Sequence, residues 1–365
     1  NKAAEDFFVA QLSTPEAALA HEFLSGRGFD PAACAHFRVG FSPNSYDALS
    51  KHLKSLKFSE QELEAAGLVS RGDRGTYDRF RGRVMWPIRD TTGTTVGFGA
   101  RRLRDDDKGP KYLNTPDTPV YHKSKVLYGI DLAKRSIGRD RRVVVVEGYT
   151  DVMACHLAGI TSAVATCGTA FGADHVSLIR RILGDMNGVD NKSRGEVIFT
   201  FDPDEAGQKA ASKAFAEDTK FAANTFVAVA PDGLDPCDLR IQRGDDSLLA
   251  IIDSRKPMFE FMIRRAIDTY DLETVEGRVG AVRAAAPILS GIRDTSVVDG
   301  YVRMVAGWIG VEPDEVRGSF RRGSRDISPA IPKPTVQSPE TPSAQSFERN
   351  PVSRLERDAL AVMLQ

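Results

Sequence analysis

Arg142-Val143-Val144-Val145-Val146-Glu147-Gly148-Tyr149-Thr150-Asp151 is the stretch that decides the fold. Four consecutive valines closed off by a charged residue and a glycine read as a strand buried on both faces, the pattern of a parallel sheet. The apolar run stops on Glu147, Gly148 permits a tight turn, and Asp151 falls in the first turn of the helix that follows. Glu196-Val197-Ile198-Phe199-Thr200-Phe201-Asp202-Pro203-Asp204-Glu205-Ala206-Gly207 repeats the design, and Asp235 sits in a third turn of the same kind. Ligands of open α/β sheets bind beyond the carboxyl ends of the strands, so these acidic turns are expected to face one crevice.

Gathering acids at one sheet edge has a cost that needs a cation. Two carboxylates about 5 Å apart repel by roughly 3 kcal/mol at an effective dielectric near 20. A hard divalent ion removes that repulsion. Oxygen ligands from Asp and Glu, without His or thiolate at the matching turns, suit Mg²⁺ or Mn²⁺ and argue against zinc. Asp-Pro-Asp alone is also ordinary turn and helix-cap chemistry. The strand-terminal Glu147 in the same repeat is what favours metal binding.

Outward from this core, the chain divides into an N-terminal basic α+β region (1–141), the βαβ series (142–240), a helical bundle (241–326), a linker (327–353) and the start of a further helix (354–365). Helical text covers Ser13 to Leu24 and Tyr46 to Leu56, and strand text covers Val84 to Ile88 and Thr95 to Ala100. In the bundle, Phe259, Met262, Ile263 and Ile267 recur at helical spacing, as do Val297, Val298, Tyr301, Val302 and Val305. The linker is rich in Pro, Ser and Thr. The fold class expected is therefore α/β, a parallel-sheet domain flanked by a basic α+β domain and a helical bundle.

Charge is segregated along the chain. Its net value is only −1, yet Arg71 to Lys111 holds eleven Lys or Arg against six Asp. Arg79-Phe80-Arg81-Gly82-Arg83-Val84-Met85-Trp86-Pro87-Ile88-Arg89 alternates cationic and apolar residues, so a strand here would show one positive face and bury the other. Arg101-Arg102 and Lys111-Tyr112-Leu113-Asn114 set further cations beside aromatics, the pairing that tracks a single-stranded nucleic-acid backbone and offers rings to its bases. The candidate contacts to nucleotide or nucleic acid are Arg27, Arg79, Arg81, Arg83, Arg101, Lys111, Tyr112, Asn114 and Lys123.

At 365 residues and 41% hydrophobic content the chain can build two or three domains. Cys34, Cys155, Cys167 and Cys237 form no C-x-x-C pair and read as buried reduced thiols, which fits a cytoplasmic setting. The sequence has no signal peptide and no apolar run long enough to span a membrane, so no membrane partner is expected. Its start on Asn1 rather than Met suggests a piece of something longer.

Glu147-Gly148-Tyr149-Thr150-Asp151 followed by Asp202-Pro203-Asp204-Glu205-Ala206-Gly207 resembles the Toprim signature of bacterial primases, topoisomerases and related nucleases. The flanking Arg79-Phe80-Arg81, Met85-Trp86-Pro87-Ile88-Arg89, Lys111-Tyr112-Leu113-Asn114, His122-Lys123, Leu127-Tyr128-Gly129 and Ala165-Thr166-Cys167-Gly168-Thr169-Ala170 are similar to the polymerase core of DnaG-type primases. The resemblance implies synthesis of short RNA primers on a single-stranded DNA template from ribonucleoside triphosphates with Mg²⁺ or Mn²⁺. It implies a central role for Glu147 and a metal-binding pair in Asp202 and Asp204, with Asp151 and Asp235 in the same metal group. The family's second acidic pair departs here, because Cys237 follows Asp235-Pro236 where a carboxylate is expected. The resemblance further implies a zinc module preceding the core. It also implies contact with the replicative helicase through a C-terminal domain that this sequence lacks, and work in the bacterial cytoplasm at the replication fork. Two alternatives stand beside it: a Toprim nuclease or topoisomerase-like enzyme, which would need a nucleophile such as an active-site Tyr, and a non-catalytic DNA-binding scaffold.

Overall fold

The computed structural model describes residues 1–73, 75–184, 195–201, 205–218, 223–292 and 295–323. The linker at 327–353, the segment 354–365 and the pair Asp202 and Asp204 lie outside the described residues.

Helices α1 (Lys2–Leu12), α2 (Ala18–Gly26) and α3 (Pro31–Phe37) open the chain. Strand β1 (Gly40–Ser42), helices α4 (Ala48–Ser55) and α5 (Glu60–Ala65), and the hairpin β2 (Val69–Gly72) with β3 (Gly75–Asp78) follow. Strands β4 (Arg83–Arg89), β5 (Thr95–Arg102) and β6 (Tyr112–Asn114) complete the first region. Local chemistry starts these helices where the sequence asks for it. Asp30 accepts the Ala33 amide at 2.7 Å ahead of Pro31, and Ser59 with Glu62 forms a capping box on α5.

The first sheet is antiparallel, in the order β1-β4-β5-β6. Its central strand β4 is covered on both sides. Met85 packs with Phe8, Leu49 and Phe98 beneath α1 and α4, while Val84, Trp86 and Ile88 enter a second core with Tyr149, Val152 and Met153. The expected positive face is thus absent from β4, because both faces are needed to join two layers. Arg83 and Arg89, which would have lined it, are turned into structural ion pairs.

The second sheet contains β7 (Leu127–Tyr128), β8 (Arg142–Val146), β9 (Ala163–Thr166), β10 (Glu196–Thr200), β11 (Asn224–Ala228) and β12 (Lys256–Pro257), in the order β12-β11-β10-β8-β9-β7. The four middle strands are parallel, as the valine run predicts, and the two-residue edge strands β12 and β7 are antiparallel. Helices α6 (Ile130–Asp140), α7 (Tyr149–Leu157), α8 (Ala173–Leu183), α9 (Glu205–Asp218), α10 (Pro236–Arg243) and α11 (Asp245–Asp253) pack around it. The chain leaves β8 through α7 towards β9 and leaves β10 through α9 towards β11, in opposite directions. That makes the gap between β8 and β10 the topological switch point of the sheet. The helices α12 (Met258–Ile267), α13 (Val275–Ser290), α14 (Thr295–Ile309) and α15 (Pro313–Gly323) form the expected bundle, whose own core includes Ile263, Ala285, Val302 and Val305. Among the described residues no helix is long and apolar enough to cross a membrane.

A buried carboxylate ties the N-terminal helix to both sheets. Glu5, 2% exposed, accepts hydrogen bonds from Arg38, from the Thr95 hydroxyl and from Arg89 at 2.9 Å, and Arg89 reaches on to Asp131 of α6 at 3.1 Å. Burial alone would raise the Glu5 pKa, but the Thr95 hydroxyl, the Arg89 charge and the hydrogen bonds from Arg38 and Arg89 outweigh it and hold it below the usual carboxylate value. A depressed carboxylate contributes stability that is full above the unfolded pKa, about 4.3, and is lost as pH falls through the folded one. Glu5→Ala leaves the Thr95 hydroxyl unpaired and Arg89 buried with Asp131 as its remaining partner, and should cost about 3 kcal/mol in urea unfolding at neutral pH. The gap from the parent chain should narrow below about pH 4. A pH-independent difference under about 1 kcal/mol would show that the cluster adds nothing to the fold.

Candidate active site

Glu147 follows directly on Val146 and is exposed at the carboxyl end of β8. The register pairs Val145 with Phe199, so Glu147 stands level with Phe201, the last described residue before Asp202. The first acidic turn therefore lies at the switch point. Asp151, by contrast, is buried, and its carboxylate accepts the Gly148 amide at 2.9 Å, closing the first turn of α7. An anion there also suits the positive end of the helix.

Tyr149, next in sequence to Glu147 and Gly148, locks this turn to the first sheet. Its ring stacks on Trp86 with centroids 5.2 Å apart and planes 8° from parallel, and meets Tyr128 edge-on at 4.8 Å. Its hydroxyl donates to Asn114 Oδ1 at 2.8 Å. Asn114 Nδ2 in turn donates to the Cys167 carbonyl at 2.8 Å, and the Asn114 carbonyl accepts from Arg79 at 3.3 Å. One amide side chain thus joins β6, the start of α7 and the turn after β9. Two glycines leave it room. A Cβ on Gly99 would lie 2.2 Å from the Tyr149 ring, and one on Gly168, whose φ is +70°, would lie 2.8 Å from Asn114. Burial pushes the Tyr149 hydroxyl well above its usual pKa and the Cys167 thiol up to about 12, so both act as neutral groups.

Cations flank Tyr112, which lies near Tyr149 and pairs in register with Arg101. The Arg101 guanidinium lies over the Phe23 ring at 4.0 Å and donates to the Arg102 carbonyl. Lys111 is exposed and Tyr112, 42% exposed, sits 6.4 Å from Tyr149. Lys123 is half-buried in a short 3-10 turn. His175 fixes that turn. Its Nδ1 accepts the Gly172 amide at 3.2 Å, so Nε2 carries the proton and donates to the Lys123 carbonyl at 3.2 Å. Arg79, Arg81 and Arg83 are placed differently from one another. Arg79 supports Asn114, Arg81 lies at the surface between two tyrosines, and Arg83 is 3% exposed, pairing with Asp107 at 2.6 Å and with the Pro110 carbonyl at 2.9 Å. Arg83 in this geometry shapes the loop that presents Lys111. Sequence reasoning missed Phe23 and His175. Phe23 was legible as the aromatic four residues before Arg27 on one helix; His175 carried no signal without the fold.

The third acidic turn is used for structure. Asp235 caps α10 by accepting the Asp238 amide at 2.6 Å and lies 3.7 Å from Arg27, which pairs with Asp238 at 3.0 Å. Cys237 is fully buried, its sulfur directed at the Arg27 carbonyl, and burial raises its thiol to about 12. A protonated thiol is a poor ligand for a hard cation, and Asp235 gives one oxygen to the helix cap while the other lies 3.7 Å from Arg27. The Glu147 carboxylate suits a hard divalent ion, whereas at Asp235 the helix cap and Arg27 compete for the carboxylate. Among the described residues no three His, Cys, Asp or Glu converge as a metal site.

A parallel sheet with an acidic switch point, joined to a basic antiparallel sheet, is the architecture of a Toprim-containing polymerase core. The family comparisons agree. Residues 7–134 match the DNA primase catalytic core N-terminal domain, 141–231 the Toprim domain, and 259–314 the DnaB-helicase binding domain of primase. The chain is 48% identical to the DNA primases of Streptomyces coelicolor and Mycobacterium tuberculosis, which match all of it while it spans 59% of their length. It is 51% identical to the RNA polymerase domain of Mycobacterium tuberculosis primase DnaG, solved with a double-stranded DNA bearing a 6-nucleotide overhang. That match has a TM-score of 0.76 and covers 86% of this chain and 96% of that one. A DnaG primase catalytic domain bound to single-stranded DNA matches at 32% identity and TM-score 0.71, covering 86% and 96%. The chain belongs to the DnaG-type bacterial primase family and carries its catalytic core. The helicase-binding match falls within the bundle, ahead of the linker and not beyond it as the sequence suggested.

The joint around Tyr149 gives a sharp test. Gly99→Ala should force the Tyr149 ring off Trp86, costing about 1–3 kcal/mol in thermal or urea unfolding. It should also displace the Glu147 turn. Wild-type stability with an unchanged Tyr149 environment by NMR would refute this role for Gly99.

Proposed function

We propose that the chain makes RNA primers on single-stranded DNA, joining ribonucleoside triphosphates under the direction of the template. The observation that carries this reading is Glu147, exposed at the switch point, on a turn that Tyr149 locks to the antiparallel sheet bearing Arg101 and Tyr112. A divalent ion, Mg²⁺ or Mn²⁺, bound by Glu147 with Asp202 and Asp204 would neutralise the triphosphate and ease ionisation of the attacking hydroxyl. Asp151 supports the turn from behind, and Asp235 keeps Arg27 in place. Arg101 and Lys111 hold phosphates of nucleotide or template, Lys123 adds a third cation, and Tyr112 offers its ring to a base. Arg79 and Asn114 set the height of the Tyr112 strand against the Glu147 turn. The setting is the bacterial cytoplasm, at the replication fork.

Glu147→Gln and Asp202→Ala should each reduce primer synthesis from labelled ribonucleotides at least a hundredfold. Single-stranded DNA affinity and the circular-dichroism melt should stay close to the parent, because a strand-end carboxylate that repels its neighbours adds little stability. Synthesis retained in both variants would sink the assignment, and DNA cleavage products in place of RNA would favour a Toprim nuclease.

We also propose that the bundle contacts the replicative helicase, on the strength of the family match at 259–314. Val275 and Val279 are exposed one turn apart on α13 and line a cavity of about 360 Å³ with Arg278, Val311 and Glu315. Val275→Asp combined with Val279→Asp should cut helicase capture at least tenfold and leave primer synthesis on naked single-stranded DNA within about twofold. Undiminished capture would place the contact elsewhere.

A further inference from the structure

His175 is 0% exposed, and its imidazole bridges two backbones: Nδ1 accepts the Gly172 amide ahead of α8, and Nε2 donates to the Lys123 carbonyl. The turn it reaches, Lys123–Lys125, has no side-chain cap of its own. A second bond from the same end of α8 ties that turn down, because the Ser124 hydroxyl donates to Asp174 at 3.0 Å. The Lys123 amide donates to Asp117 at 3.4 Å. Both carboxylates beside the turn thus receive the Lys123 amide and the Ser124 hydroxyl, and neither takes its hydrogen bond from the Lys123 ammonium.

Behind His175 an aromatic series leads to the acidic edge. Its ring centroid lies 5.5 Å from that of Phe171, Phe171 meets Phe199 edge-on at 5.1 Å, and Phe199 stacks on Phe201 at 5.6 Å with planes 4° apart. Phe201 precedes Asp202 and stands level with Glu147. The segment from Cys167 to Gly172 is pinned at one end by Asn114 and at the other by His175. Burial raises the Cys167 thiol, hydrogen bonds from Tyr121, Tyr128 and Tyr149 oppose the rise, and the Lys123 charge opposes it too, which puts the ammonium within electrostatic reach of that segment. A buried histidine with both nitrogens satisfied is ordinary core chemistry. What sets His175 apart is that one of the two groups it holds is the backbone of a candidate phosphate contact.

We propose that His175 is a positioning residue for nucleotide binding: through the Lys123 carbonyl it holds the Lys123 turn where the ammonium meets the triphosphate of the incoming ribonucleotide. The inference rests on the reading of Lys123 as a phosphate contact and adds the group that makes that contact rigid. A lysine on a loose turn must order both its side chain and its backbone when a phosphate binds, and a turn already bonded to α8 leaves only the side chain to order. The chemistry asked of position 175 is specific. It needs one acceptor for the Gly172 amide and one donor for the Lys123 carbonyl, close together on a flat group. A carboxamide offers both, whereas a phenyl ring keeps the bulk against Phe171 and offers neither.

The test uses the full chain with single-stranded DNA, Mg²⁺ and an ATP analogue carrying a fluorophore on its base, whose binding is titrated directly beside steady-state primer synthesis. His175→Phe should weaken binding of the analogue about tenfold and raise KM for ribonucleotide to match, with kcat within about threefold of the parent and single-stranded DNA affinity unchanged. His175→Gln should restore binding to within about threefold. His175→Asn keeps an acceptor for the Gly172 amide but is too short to reach Lys123, so it should show the loss seen with Phe and serves in its place if the Phe variant melts early. Lys123→Ala alone should cost about as much, and adding His175→Phe to it should cost less than about a further twofold, since both changes remove one contact. Multiplied losses of about a hundredfold in the double variant would show that the two residues act independently and overturn the proposal. Parental affinity in the folded His175→Phe or His175→Asn chain, with Lys123→Ala impaired, overturns it as well and leaves Lys123 in place. Parental affinity in Lys123→Ala removes both the Lys123 contact and the role given to His175. A parent chain that binds the analogue through His175 and Lys123 yet makes no RNA overturns the primase reading and leaves the positioning role standing.

Discussion

The contact of Tyr149 with Trp86 and Asn114 is the joint on which the rest of the structure depends. Neither sheet alone makes a site. The parallel sheet supplies acids at its carboxyl edge, and the antiparallel sheet supplies cations and exposed rings. Tyr149 belongs to the helix that starts at the acidic turn, yet its ring is stacked on β4 and its hydroxyl is bonded to β6. The absence of a side chain at Gly99 is what allows that approach, because any Cβ there would overlap the ring. Fixing the joint fixes the distance between the acidic and basic halves, and phosphoryl chemistry requires both at one place.

Electrostatics follows from the same division. Many of the Arg residues read as a basic surface are spent inside the fold. Arg89 serves the buried Glu5, Arg83 orders the loop before Lys111, and Arg27 neutralises Asp235 and Asp238. The cations left with exposed surface, such as Lys111, are those at the rim. This economy explains how a chain with a net charge of −1 can present a local surface for polyanions. It also gives the exchange of a carboxylate for Cys237 a physical reading. With Arg27 already balancing Asp235 and Asp238, a further carboxylate at position 237 would be buried with no cation of its own, whereas a neutral thiol fills the space without that cost.

The bundle stands apart in its chemistry. Its core is made from its own helices, and its link to the catalytic sheet runs through the start of α12, where Met258 joins the sheet core and Phe259 meets Phe215 of α9. Such a unit can be altered on its outer face without disturbing the acidic turn. That separation is what an attachment surface for another replication protein would need.

The sequence by itself determined the βαβ series and the first acidic turn, at Glu147. These depend on local pattern: a four-valine run, a glycine turn and a helix period leave few arrangements open, and in the first sheet the strands read at Val84 to Ile88 and Thr95 to Ala100 end within two residues of β4 and β5. It also determined the bundle and the buried thiols, all four of which are free cysteines in the core. Only the tertiary structure decided which charges are available. The alternation from Arg79 to Arg89 predicts a cationic strand face, but β4 lies between two helical layers, and a strand covered twice cannot leave either face to solvent. Likewise, the reach of Arg27 to Asp238, across 211 residues of sequence, and the clearance of Gly99 for Tyr149 are long-range matters of shape that no local period encodes.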